Sequence, residues 1–148
     1  MTHGKNLTAV KQLAIYIGNW SIEGTNFSTD PEQPETAVTG ENKTEWMTGD
    51  FFIIDHWRHI AGDGGHIGIS ILGYDADAQQ LYTRNFDNLG FERKYMIESD
   101  NFTWKLTGGT ERATRVFSTD GQTFEERWEV LGADQTWKPL CIMHGKKM

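Results

Sequence analysis

The sequence predicts an all-β protein: an antiparallel up-and-down β-barrel of about ten strands with a short N-terminal helix. After Gly18 the chain is a train of strand-like segments, separated by short clusters of Gly, Asp and Asn, with no helical pattern between them. The Gly18-Asn19-Trp20 sequence at the head of this train is typical of a barrel that closes one end on a tryptophan. A chain of 148 residues suits one domain, residues 1–148.

The N-terminal segment carries a helical pattern. Apolar residues recur at helical spacing over 7–17, with Asn6 available as an N-cap and Gly18 ending the segment. The apolar positions are Leu7, Val10, Leu13, Ala14 and Ile17. We therefore expect a helix of a few turns that plugs or flanks one mouth of the barrel.

The remaining chain divides into ten predicted strands. Several separators are short enough for hairpins, so sequence neighbours should pair antiparallel, and closure of the sheet removes exposed edges. Six Trp, eight Phe and four Tyr supply large buried areas for a thin-walled core. The predicted strands are 19–28, 38–48, 51–60, 66–74, 79–87, 91–98, 102–107, 110–118, 122–131 and 136–144.

Composition excludes several classes of partner. The net charge of −7, without a block of basic residues, argues against a nucleic-acid partner. No apolar run reaches membrane-spanning length, and the N-terminus has no secretion-signal pattern, so we expect a cytoplasmic protein without a membrane partner. The single cysteine, Cys141, excludes an internal disulfide and suits a reducing compartment.

The order of several short motifs resembles a known family. The Gly18-x-Trp20 entry is followed by Glu45-Trp46-Met47-Thr48-Gly49-Asp50, then Gly73-Tyr74-Asp75, and then Phe86-Asp87-Asn88-x-Gly90. This order is similar to that of a bacterial lipocalin-like (calycin-type) family that carries a domain-of-unknown-function label. The resemblance implies a barrel around a cavity and brings no established activity. Nitrobindin-like barrels are more distant relatives with a similar entry motif.

Side-chain alternation identifies candidates for a ligand-binding cavity. Arg84, Arg93 and Glu126 share strand faces with large aromatic side chains, and a charge that enters an apolar barrel must be paired or must serve a ligand. The sequence leaves both interpretations open, a structural ion pair and a charge that anchors a ligand. The candidate ligand-binding residues are Trp46, His56, Arg58, Tyr82, Arg84, Arg93, Tyr95, Trp104, Glu126 and Trp128.

The sequence Asp55-His56-Trp57-Arg58-His59 is the densest cluster of reactive side chains. On a strand, His56 and Arg58 share one face, whereas Asp55, Trp57 and His59 share the other. The two histidines diverge and would not chelate one ion, so we expect no metal site.

Three functions fit these observations. The first is a barrel that binds a small apolar or amphipathic molecule. The second is an enzyme that uses an inward His, Arg or Glu for acid–base chemistry on a small apolar substrate, which requires His56 to meet a carboxylate in the cavity. The third is a solidly packed barrel that acts through subunit contacts, for example as a homodimer. No cofactor is expected; haem is the alternative that the nitrobindin-like resemblance suggests, with His144 as the axial residue.

Overall fold

The structure is a computed structural model and describes residues 7–28 and 32–148. The chain begins with helix α1 (Leu7–Gln12), which continues into a 3-10 turn (Leu13–Tyr16). Ten strands follow: β1 (Gly18–Asn26), β2 (Thr36–Trp46), β3 (Ile53–Ala61), β4 (Gly64–Asp75), β5 (Gln80–Asp87), β6 (Glu92–Asp100), β7 (Thr103–Gly108), β8 (Glu111–Phe117), β9 (Thr123–Leu131) and β10 (Trp137–Lys147).

The ten strands form one closed antiparallel barrel. Each strand pairs with its neighbour in sequence, and β10 pairs with β1 to close the sheet, with Trp20 opposite Lys147 and Asn26 opposite Cys141. This confirms the predicted fold class, and all ten predicted segments overlap an observed strand. The hairpin connections keep every strand beside its sequence neighbour, so the barrel has an up-and-down order.

One end of the barrel is filled by the main hydrophobic core. Leu13 and Trp20 are fully buried, and they pack with Tyr16, Trp104 and Phe117 in this core. The indole Nε1 of Trp20 donates to the carbonyl oxygen of Tyr16 at 3.0 Å, which fixes the strand entry against the preceding turn. The N-terminal segment therefore plugs this end, as the sequence predicts.

The local geometry of the plug differs from the prediction. The buried residues Val10, Leu13 and Tyr16 are spaced by three, the period of the 3-10 turn that ends the helix, whereas Ala14 is exposed. The tighter winding turns Tyr16 inward in place of Ala14. The expected N-cap, Asn6, lies outside the described residues.

Candidate functional site

A cavity of about 570 Å³ occupies the barrel between the plugged end and the opposite mouth. Exposed residues of its lining, such as Phe91 and Leu140, lie at the mouth and bring the cavity into contact with solvent. The barrel is therefore hollow, which does not fit the alternative of a solidly packed interior. Strand alternation sends Asp55, Trp57 and His59 of β3 inward to this cavity.

Aromatic side chains form one part of the cavity wall. The rings of Tyr95 and Trp128 meet edge to face with centroids 5.1 Å apart. Trp57 lies on another part of the wall, where its Nε1 donates to Ser70 Oγ at 2.9 Å. Because these indole and phenol rings are held by neighbours, they offer a fixed apolar surface to a guest molecule.

A buried ion pair lies at the base of the cavity. Arg115 Nε donates to Glu126 Oε1 at 2.8 Å, and the side chains of Arg115 and Glu126 are only 5% and 10% exposed. The other carboxylate oxygen accepts from Trp128 Nε1 at 3.0 Å. The guanidinium also lies over the Phe124 ring at 3.9 Å and over the Tyr16 ring at 4.6 Å.

The ion pair stays charged although it is buried. Burial alone would raise the pKa of Glu126, but attraction to Arg115 and the hydrogen bonds from Arg115 and Trp128 leave it below its ordinary value. Burial alone would lower the pKa of Arg115, and the Glu126 carboxylate more than offsets this. The base of the cavity therefore holds a compensated pair of opposite charges.

Two polar atoms at this base lack partners. Within the part of the chain that the structure describes, the buried side-chain polar atoms without a hydrogen bond are Arg115 Nη1 and the hydroxyl of Tyr16. Both residues line the cavity through other atoms, because these two polar atoms have essentially no exposed surface. Buried donors are nearly always paired, so two such atoms in one place call for an explanation.

Asp55 and His59 are two further titratable residues that line the cavity. Thr44 Oγ1 donates to Asp55 Oδ1 at 3.0 Å, and burial raises the pKa of Asp55 to about 6 against the opposing effects of Arg115 and Thr44. His59 Nε2 lies 2.8 Å from Asn42 Oδ1, and burial lowers the pKa of His59 to about 4. At neutral pH the histidine is therefore uncharged and most of Asp55 is ionised.

Charged residues also surround the mouth. Arg93 Nε lies 3.3 Å from Glu111 Oε1, and its Nη1 lies 3.9 Å from Asp87 Oδ2. Asp87 Oδ2 also meets His66 Nε2 at 3.0 Å, and the Arg93 guanidinium lies 4.4 Å from the centre of the Phe91 ring. The mouth thus combines an aromatic edge with a network in which two carboxylates share one arginine.

Four of the ten predicted ligand-binding residues line the cavity, and six do not. Those that line it are Arg93, Tyr95, Glu126 and Trp128. Trp104 is buried in the hydrophobic core at the plugged end, and Trp46 packs against that core. Tyr82, Arg84, His56 and Arg58 lie on the outer face of the barrel, where Arg84 pairs with Glu92.

Two histidines on which alternative functions depended, His56 and His144, do not face the cavity. His56 is exposed on the outer face, so the His56–carboxylate pair that the enzyme hypothesis requires does not form in the cavity. His144 is likewise exposed, and it is not among the residues that line the cavity. Over residues 7–28 and 32–148, no cluster of three or more His, Cys, Asp or Glu is arranged to hold a metal ion.

The central arginine of the site was absent from the sequence-based candidates. Arg115 shares a face of β8 with Ala113 and Phe117, opposite Glu126 in the hairpin register. The turn residues Asp120 and Gly121 offered a signal, because a hairpin centred there brings Arg115 beside Glu126. Tyr16 had no such signal, because its direction depends on the 3-10 turn.

Comparison with known proteins places the chain in a family. The model of a protein family of unknown function, DUF1579, matches residues 8–129, which is most of the chain. The chain belongs to the DUF1579 family. No curated protein matches the sequence.

Solved structures share the fold of this DUF1579 chain at low sequence identity. The S-type phycobiliprotein lyase CPES from Guillardia theta is 8% identical, with a TM-score of 0.66 over 95% of this chain and 92% of its own. Rv2717c from M. tuberculosis is 11% identical, with a TM-score of 0.68 over 95% of this chain and 97% of its own. At such identities the likeness shows the β-barrel fold alone.

The helical content bears on membrane insertion. Across the described ranges, 7–28 and 32–148, there is no helix with the length and apolar character needed to cross a membrane.

Proposed function

We propose that this protein binds a small amphipathic molecule in the barrel cavity, with the apolar part against the aromatic wall and the polar end on the base. The observation that carries the proposal is a solvent-connected cavity of about 570 Å³ whose lining combines aromatic rings with the buried ion pair of Arg115 and Glu126.

The composition of the lining supports this assignment. The buried ion pair of Arg115 and Glu126 lines the same cavity as an apolar wall that includes Trp57, Tyr95 and Trp128. Apolar surface around a few convergent polar groups is the usual composition of small-molecule sites, and the volume lies within their usual range.

The proposal is tested with a neutral fluorescent probe, N-phenyl-1-naphthylamine, titrated against the purified protein. We expect saturable binding with a rise in fluorescence as the probe enters the apolar cavity. The Trp128→Ala variant removes a wall residue and should raise the Kd for the probe about tenfold, equivalent to about 1.4 kcal/mol. Far-UV circular dichroism checks that the variant is folded.

The matched control is Trp137→Ala. Trp137 does not line the cavity, and its ring instead lies 4.0 Å from the Arg112 guanidinium. The same truncation there should change the Kd by less than about twofold, as expected for a residue outside the site. Absence of saturable binding, or equal effects of the two substitutions, would refute the proposal.

A further inference from the structure

We infer that the ligand of this cavity is a cation, an amphipathic amine whose ammonium group pairs with Asp55 while its hydrocarbon part lies on the aromatic wall. The inference rests on the proposed function, to which it adds the chemical class of the polar end. A free carboxylate oxygen, an excess of negative charge and the aromatic rings of the same cavity all favour such a ligand.

The carboxylate of Asp55 has one oxygen that a guest can reach. The residue is 5% exposed, and the alternation of β3 directs it into the cavity that it lines. Thr44 Oγ1 donates to Oδ1 at 3.0 Å, whereas Oδ2 accepts no hydrogen bond from the residues that the structure describes. Oδ2 is also not one of the unpartnered atoms that are fully buried, so it keeps accessible surface. The free oxygen of this nearly buried side chain therefore faces the cavity.

The charges around Asp55 do not balance. Arg115, the arginine at the base, is already bonded to Glu126 at 2.8 Å. His59 brings no positive charge at neutral pH, because burial lowers its pKa to about 4. Two carboxylates therefore share one guanidinium when Asp55 is ionised. A buried charge is stable only with a counter-charge, which an ammonium group would supply.

The rest of the lining has the same excess of negative charge. At the mouth, Asp87 and Glu111 share Arg93. The whole lining thus carries four carboxylates, with Asp55 and Glu126, against two arginines. With neutral histidines the path from the mouth to the base is net negative, and a cleft lined by one sign of charge attracts ligands of the opposite sign.

Aromatic rings complete the preference for a cation. Trp57, Tyr95 and Trp128 line the same cavity as Asp55. The face of an aromatic ring is electrostatically negative and apolar, so it attracts a cation and also packs against a hydrocarbon chain. A ligand carboxylate would be repelled by this lining, and a neutral ligand would leave Asp55 without a counter-charge.

Three ligands of equal chain length test the inference: octylamine, octanoate and octanamide. Each is measured by displacement of bound N-phenyl-1-naphthylamine at pH 8 in phosphate buffer, which contains no competing amine. At this pH Asp55, with a pKa that burial raises to about 6, is ionised, and the alkylamine keeps its proton. We expect octylamine to displace the probe at a concentration at least tenfold lower than either other ligand. Equal or tighter binding of octanoate or octanamide would overturn the inference.

A substitution at Asp55 tests the contact directly. Asp55→Asn keeps the size of the side chain and an acceptor for Thr44 but removes the charge. It should raise the Kd for octylamine at least tenfold and change the Kd for octanamide less than twofold. A general loss of the cavity would weaken both ligands alike. Octylamine affinity that is unaltered in Asp55→Asn would show that this carboxylate does not hold the ammonium group.

The matched control is Asp63→Asn. This variant removes the same charge from an exposed turn outside the cavity and should leave the Kd for octylamine within twofold. An equal loss of octylamine affinity in both variants would assign the preference to the net charge of the protein and would refute the role of Asp55.

The outcomes separate this inference from the proposed function. If the probe binds but octylamine does not displace it, the cation inference is wrong while the ligand-binding proposal stands. If the probe itself does not bind, the proposed function fails, and the inference fails with it.

Discussion

At the scale of single residues, the pair formed by Arg115 and Glu126 decides the character of the barrel interior. A charge removed from water is tolerated only when a partner and further hydrogen bonds compensate it. Here Trp128 and the rings of Tyr16 and Phe124 complete the surroundings of the pair. The chain offers a close comparison, because Arg112 and Glu129 form a pair at 2.9 Å on the same two strands but near solvent.

Removing one charge from each pair should have unequal effects on stability. Glu126→Gln leaves the buried Arg115 without its counter-charge and should lower the free energy of unfolding by about 3–5 kcal/mol. Glu129→Gln breaks a pair whose side chains are 43% and 38% exposed, and should cost less than about 1 kcal/mol. Urea unfolding of both variants measures the difference. Similar losses would mean that the inner pair is far better solvated than the structure shows.

Asp55 should make the protein less stable as the pH rises. Its pKa is raised from 3.8 to about 6 in the folded state, so folding favours the protonated form. The resulting stability is fully present below the unfolded pKa, near pH 4, and is lost as the pH rises through about 6. Asp55→Asn keeps the acceptor for Thr44 without the charge. It should therefore stabilise the fold at pH 8 by on the order of 2 kcal/mol.

The pH dependence of this gain distinguishes it from a general effect. At pH 3.5 the substitution should change the free energy of unfolding little, because the carboxyl is then protonated in both states. Asp63→Asn, at an exposed turn, is the matched control and should stay within about 0.5 kcal/mol at both pH values. Thermal denaturation at the two pH values measures both variants. A gain at pH 8 that persists at pH 3.5 contradicts the assigned cause.

At the scale of elements, the plug and the first strand act together. The indole of Trp20 is fully buried, bonds to the turn before it and packs edge to face on Phe124 with centroids 5.0 Å apart. The short helix α1 has only six residues, too few for stability on its own. Its position therefore depends on the packing of Leu13 and Tyr16 against the strands.

Truncation of Trp20 should strongly destabilise the fold. Trp20→Ala should reduce the free energy of unfolding by about 3–5 kcal/mol, the usual range for large-to-small aromatic changes in a core. Trp137→Ala, which truncates a half-buried tryptophan outside the core, should cost about 1 kcal/mol. Chemical denaturation gives both values. A loss below about 1 kcal/mol for Trp20→Ala would make this residue peripheral to the closed end.

The inward face of a strand was predictable where one face carries large aromatic side chains and the other does not. On β6 and β9 the aromatic faces identified by alternation, with Tyr95 and Trp128, are the inner ones. On β3 and β5 the pattern misleads, because the inner face carries polar side chains such as Asp55 and Asn85 while Tyr82 and Phe86 face outward. Where a strand turns polar side chains toward the cavity, the usual rule that the apolar face of a strand is the buried one fails.

At the scale of the whole molecule, closure of the sheet was predictable and the content of the cavity was not. Hairpin-length separators fix the order of the strands, and pairing β10 with β1 removes the last two edges. The site, however, assembles residues from distant elements: Tyr16 from the plug, Asp55 from β3 and Arg115 from β8. No local pattern encodes their meeting, because it depends on the curvature of the complete barrel.

Under the proposed function, closure of one barrel end by the plug also affects how fast a ligand enters and leaves the cavity. A guest that passes through the described mouth must move its inner group past Phe91 and Arg93 both on entry and on exit. Substitutions that open this threshold should therefore raise both the association rate and the dissociation rate of the ligand.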